Sequence, residues 1–122
     1  ASAGEPRALR RGAVYWADPH FPTGASSKPH RCLLLRSPAA RETNVPVLTL
    51  HTLARKPDAV NDCCTVLEPG AYRGIKAETV IDARMTMFVP VLMVRDYCFD
   101  LSEEDMAEIE DCLLVALDFG ND

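Results

Sequence analysis

The chain is 122 residues long, 48% hydrophobic and 25% charged, enough for one domain with one core and too short for two. Its central apolar run, Val89 to Val94, is closed by Arg95 and falls far short of the roughly 20 residues that span a bilayer, so no membrane-spanning helix is expected. The formal net charge of -5 hides a split: residues 1–56 hold nine Lys/Arg against three Asp/Glu and residues 57–122 hold four against fifteen, so the first half can meet an anionic ligand on an acidic protein.

Residues 1–11 lack apolar periodicity and read as a flexible basic arm, followed by a single domain over 12–122. Ala13-Val14-Tyr15-Trp16-Ala17 mixes β-branched and aromatic residues and is stopped by Asp18-Pro19, which predicts a first strand. Residues 18–29 carry three prolines and a glycine and read as a long loop. His30 to Arg36 and Val45 to Thr52 are apolar runs suited to a buried sheet, and Asp62 to Leu67 predicts a fourth strand ended by the turn Glu68-Pro69-Gly70. Thr79 to Ile81 and Thr86 to Met93 supply one or two more, with Pro90 tolerated only at an edge or a bulge. Short strands without helix-length spacers point to a mainly β domain, an antiparallel sheet or a small barrel.

The final element is an amphipathic helix. Ser102 is its N-cap, Glu103-Glu104-Asp105 occupy the first turn, and Leu101 with Met106 stand at hydrophobic-staple spacing. Met106, Ile109, Leu113 and Leu117 form the apolar stripe, and the helix is expected to end near Phe119-Gly120.

Five cysteines make an odd set with no Cys-x-x-Cys pair, so neither a disulfide framework nor a zinc site is expected, and no cofactor is implied. They read as small buried hydrophobes in a reducing cytoplasm, and no export signal is visible. No Gly-rich phosphate loop, nucleophile elbow or paired metal-binding histidines occur.

The order of elements carries more. Arg11-Gly12-Ala13-Val14-Tyr15-Trp16-Ala17-Asp18, a Pro/Gly loop, then His30-Arg31-Cys32-Leu33-Leu34-Leu35 resembles the N-terminal signature of the MazF/PemK toxins, an "RG-D-V-Y-W-x-D" strand followed by "R-P-x-L-V-L". Val47-Leu48-Thr49-Leu50-His51-Thr52 is similar to the family's strand ending in Thr or Ser, and the order from Thr79 to the Ser102 helix is similar to its C-terminal half. The resemblance implies a small SH3-like, CcdB-like barrel packed against the helix and forming a homodimer. It also implies a sequence-selective, metal-independent endoribonuclease of single-stranded mRNA, held inactive by an antitoxin with an acidic tail. The family's catalytic Arg falls on Arg31 and its catalytic Thr/Ser on Thr52, or on Thr49 if the match slips.

The chemistry suits those positions. Attack by an RNA 2′-hydroxyl builds negative charge at phosphorus, which a guanidinium fork and a hydroxyl can both meet. Arginine keeps its proton, so Arg31 is assigned to charge stabilisation. His30 or His51, as histidines, could serve in proton transfer and assist. RNA contact is expected from His20, Phe21, Lys28, His30 and His51, from Arg55 and Lys56 just after Thr52, and from Arg84. Of Tyr15 and Trp16, one should face the core and the other an interface or groove. Departures from the family lie at Ala13, at Cys32 and at Arg84-Met85-Thr86-Met87-Phe88, where relatives carry "E/D-Q-I-R-T". That last departure leaves a second reading, a non-catalytic module that poisons a protein target as the related gyrase-poisoning toxins do.

Overall fold

Gly12 adopts φ +87°, a left-handed conformation that side-chain-bearing residues rarely take, and its carbonyl accepts the Leu101 amide at 2.9 Å. The chain can therefore turn directly from the Arg11-Gly12 corner into the first strand while staying against the start of the last helix. The computed structural model describes residues 9–19, 28–55 and 57–117. It contains six strands, β1 (Ala13–Ala17), β2 (His30–Leu34), β3 (Asn44–Thr52), β4 (Cys64–Leu67), β5 (Thr79–Pro90) and β6 (Tyr97–Asp100), and one α-helix, α1 (Glu103–Leu117). They form a single curled antiparallel sheet in the order β4-β5-β3-β2-β1-β6, a half-barrel with α1 packed against β4 and β5.

The apolar runs are continuous rather than alternating because the central strands are buried on both faces. On one face Val14, Leu33, Leu48, Leu50 and Ile81 pack with Phe99, Leu101 and the α1 stripe Met106, Ile109 and Cys112. On the other, Tyr15, Cys32, Leu34, Val45, Val47 and Val89 pack with Val94. Tyr15 is buried, whereas Trp16 is 39% exposed. Cys32, Cys63 and Cys112 are buried and Cys64 and Cys98 half-buried, all five as free thiols.

Several expectations are corrected. Of the one or two strands expected over 79–93 there is one, β5, which ends at Pro90 and whose pairing with β3 skips from Leu50↔Ile81 to Leu48↔Thr86, a β-bulge over 82–85. Val91-Leu92-Met93, read as strand, is a 3-10 turn, because the chain must leave the sheet after Pro90; Leu92 is almost fully exposed. β6 was not anticipated. It pairs with β1 through Ala13↔Asp100 and Val14↔Phe99, with a bulge before Tyr15↔Tyr97. The helix follows its sequence signals at the start: Ser102 Oγ accepts the Asp105 amide at 3.1 Å, and Leu101 and Met106 are both buried. Its expected end at Phe119-Gly120 lies outside the described residues. Among the described residues, no helix is long and apolar enough to cross a membrane.

Candidate active site

The β2–β3 register decides which side chains share a face. Cys32 opposes Thr49, and continuing that register sets Arg31 opposite Leu50 and His30 opposite His51, whose rings meet at 5.2 Å. Strand alternation then puts Arg31 and Thr52 on the face of Leu33 and Leu50, and His30, Thr49 and His51 on the opposite face. Thr52 is the diagonal neighbour of Arg31, a relation that sets two residues roughly 7–8 Å apart on one face, within reach of a long side chain. Thr49 is 5% exposed, and its hydroxyl is hydrogen-bonded to His51 Nε2 at 2.9 Å. Thr52, not Thr49, is therefore the hydroxyl that shares a face with Arg31.

The two histidines form a pair of their own. His30 Nδ1 donates to the Lys28 carbonyl at 2.9 Å, and the His51 ring lies against His30 edge to face. Neither shares the face of Arg31. Lys28 and Arg55 are exposed at the ends of the same two strands. His20, Phe21 and Lys56 lie outside the described residues.

Arg31 is oriented by two contacts. Its Nη1 donates to the Gly74 carbonyl at 3.0 Å, and its guanidinium carbon sits 5.7 Å from the Trp16 ring centroid, Trp16 being its cross-strand partner. Gly74 lies in the β4–β5 loop with φ +84°, and this left-handed turn is what aims its carbonyl at the strand. The loop is clamped by its neighbour Tyr72. The Tyr72 hydroxyl accepts the Ser102 amide at 2.9 Å and donates to Asp105 at 2.5 Å, and its ring stacks on Phe99 at 4.8 Å. Burial and the Asp105 carboxylate together raise the Tyr72 pKa, keeping the hydroxyl protonated. Arg73, beside it, is exposed, and its Nη2 donates to the Cys98 carbonyl at 3.2 Å. Burial holds the Cys98 thiol above its ordinary range, and the Arg31 and Arg73 guanidiniums offset part of that rise.

These two arginines differ from the four that are ion-paired. Arg10 pairs with Asp100, Arg11 with Glu110, Arg36 with Glu42 and Arg84 with Asp82, whereas among the described residues neither Arg31 nor Arg73 has a carboxylate in ion-pair range. Their hydrogen bonds go to main-chain carbonyls, which orient a guanidinium without cancelling its charge.

Arg84 is not brought to this site. Its Nε and Nη2 donate to the two Asp82 oxygens at 3.1 and 3.0 Å, and it lines a separate cleft of about 440 Å³ with Leu35, Ala83, Thr86, Leu113, Ala116 and Leu117. Burial pushes the Asp82 carboxyl up, but the Arg84 hydrogen bonds outweigh it and hold the group below the ordinary carboxylate range. Sequence reasoning missed Gly74, whose carbonyl meets Arg31 from 43 positions away along the chain, and with it Arg73. The only local signal was the glycine following an arginine in a loop. Among the described residues, no cluster of three or more His, Cys, Asp and Glu side chains is placed to hold a metal ion.

No protein-family model matches this chain, and no curated protein matches it by sequence. Solved structures do share its fold. An endoribonuclease in complex with its cognate antitoxin, from Mycobacterial species, superposes with a TM-score of 0.66 at 21% identity over 90% of this chain and 95% of its own. A second endoribonuclease from Mycobacterial species gives 0.65 at 19% identity over 91% and 92%. The Mycobacterium tuberculosis toxin MazF-mt6 gives 0.65 at 19% identity over 87% and 96%. The half-barrel with one C-terminal helix is thus the fold of these toxin endoribonucleases, over nearly the full length of both chains.

Proposed function

We propose that this protein is the toxin of a toxin–antitoxin pair, a sequence-selective endoribonuclease that cleaves single-stranded mRNA in the cytoplasm without a metal. The observation that carries the reading is the un-neutralised guanidinium of Arg31, held by a main-chain carbonyl on the same sheet face as the Thr52 hydroxyl. The RNA's 2′-oxygen attacks the adjacent phosphorus, the bond to the 5′-oxygen of the next nucleotide breaks, and a 2′,3′-cyclic phosphate results. Arg31 meets the charge that develops on the phosphoryl oxygens, and Thr52 supplies a hydrogen bond beside it. The fold likeness to endoribonucleases, one of them solved with its antitoxin, supports the same assignment. An antitoxin with an acidic tail would meet the same positive charges. A homodimer is supported by the apolar residues left open at Met85, Phe88, Leu114, Val115 and Leu117.

Incubating the purified protein with a long single-stranded RNA in EDTA tests this reading. Defined fragments ending in cyclic phosphate are expected, with Thr52→Val and Arg31→Ala each reducing cleavage by about a hundredfold or more. Intact RNA alongside arrested growth would favour the protein-poisoning reading, to which exposed Met85 and Phe88 lend a docking surface.

A further inference from the structure

Trp16 stands out because the rest of β1 is buried while its indole keeps 39% of its surface open. Its backbone is fully committed, the amide donating to Asp96 at 3.0 Å and the carbonyl accepting from Arg95 at 2.7 Å, so the ring is presented on a rigid strand. It is also the cross-strand neighbour of Arg31, on the face that carries Thr52. The clamped loop also delivers Arg73, exposed and un-neutralised among the described residues, next to the Gly74 carbonyl that holds Arg31 and bonded to the Cys98 carbonyl of β6, the strand beside that of Trp16. A flat, open aromatic ring and a second positive charge are therefore brought to the neighbourhood of the guanidinium assigned to the scissile phosphate. A single strand of nucleic acid offers the matching pair of features, a base with a π face and a further phosphate one nucleotide away.

We infer that Trp16 is a base-stacking platform and Arg73 a second phosphate-binding residue, so that Trp16, Arg31 and Arg73 together hold a dinucleotide step across the cleavage point. This rests on the ribonuclease reading and extends it to residues that set substrate affinity and register.

Trp16 is the protein's one tryptophan, so its fluorescence reports the contact directly. The probe is a short oligonucleotide with 2′-deoxy sugars, which lacks the attacking hydroxyl and is not cleaved. Saturable quenching is expected, absent with an abasic oligonucleotide of equal length and phosphate count, and shifted to roughly tenfold higher concentration in Arg73→Gln. On cleavable RNA, Trp16→Ala should raise KM roughly ten- to a hundredfold, with Trp16→Phe recovering most of the loss, and Arg73→Gln should raise KM by more than it lowers kcat. Equal quenching by the abasic probe, or RNA cleavage with no quenching at all, overturns the inference while leaving the ribonuclease reading intact. Base-dependent quenching without any RNA cleavage would sustain the binding platform and remove the catalytic reading.

Discussion

The Arg31 end of the sheet and the Arg84 cleft use the same side chain in two ways. Arg31 and its neighbour Arg73 donate to the carbonyls of Gly74 and Cys98, whereas Arg84 donates to both oxygens of a carboxylate that is itself only 7% exposed. A carbonyl partner orients a guanidinium and leaves its charge for a ligand. A buried carboxylate spends that charge inside the protein, where it stabilises the fold. A basic residue's place in an anion site is thus decided by what else it touches, more than by its position on a strand.

Exchanging the two arginines for alanine should separate these roles most sharply. Arg31→Ala is expected to cut RNA cleavage by about a hundred- to a thousandfold while moving the Tm by only a few degrees. Arg84→Ala should do the reverse, because it leaves Asp82 buried without its partner; a cost of about 1–3 kcal/mol lowers Tm by roughly 5–10 °C, with cleavage per folded molecule retained. Loss of cleavage in Arg84→Ala at an unchanged Tm would erase the distinction.

Next in size is the clamp. Tyr72→Phe keeps the ring stacked on Phe99 and removes the hydroxyl that joins Ser102 to Asp105. A loss of about 1 kcal/mol is expected, together with a severalfold rise in KM as the Arg73-Gly74 loop loosens. A Tm shift with no change in KM would mean that the loop is held by other contacts.

Acid titration separates the two kinds of arginine again. Arg84 holds Asp82 down against its burial, and Arg10 and Arg36 hold down Asp100 and Glu42. A carboxyl whose folded pKa is depressed contributes stability above its unfolded pKa and loses it as pH falls through the folded one. The Tm should therefore hold from neutrality to about pH 5 and fall between about pH 5 and pH 2. Added salt should blunt the share from the exposed Asp100 and Glu42 pairs more than that from Asp82. A slope unchanged in Asp82→Asn would remove Asp82 from this account.

The smallest effect concerns Cys32, which occupies the position where the MazF/PemK signature has proline. Burial pushes its thiol up to about 12, so iodoacetamide near pH 8 should label half-buried Cys64 or Cys98 first and Cys32 only on unfolding.

Much of the frame was legible from local chemistry. The Val14-Tyr15-Trp16 strand and the Ser102 cap each depend on residues close in sequence, and each appears where its signals stand. β6 was not, because Tyr97-Cys98-Phe99-Asp100 is short, lies among acids and leads straight into the helix. Val91-Leu92-Met93 misled in the opposite direction, an apolar triplet that a preceding proline turns out of the sheet. At the site, Arg31 and Thr52 follow from a motif and a register. Arg73 and Gly74 do not, since their approach depends on a loop fastened to a helix N-terminus by a tyrosine, and no pattern along the chain encodes that meeting. The opposite orientation of His30 and His51 was open to simple alternation, given the register that only pairing reveals.

The place of β1 between β2 and β6 has a consequence for synthesis on the ribosome. The indole of Trp16 is made before the main-chain partners that fix it, Arg95 and Asp96, which emerge only after β2, β3, β4 and β5. Pairing between segments so distant in sequence is slow and is closed late. A product truncated before residue 95 would contain Arg31 and Thr52 yet lack the segment that steadies their neighbour, so the Trp16 side of the site would be fixed only once β6 has been made.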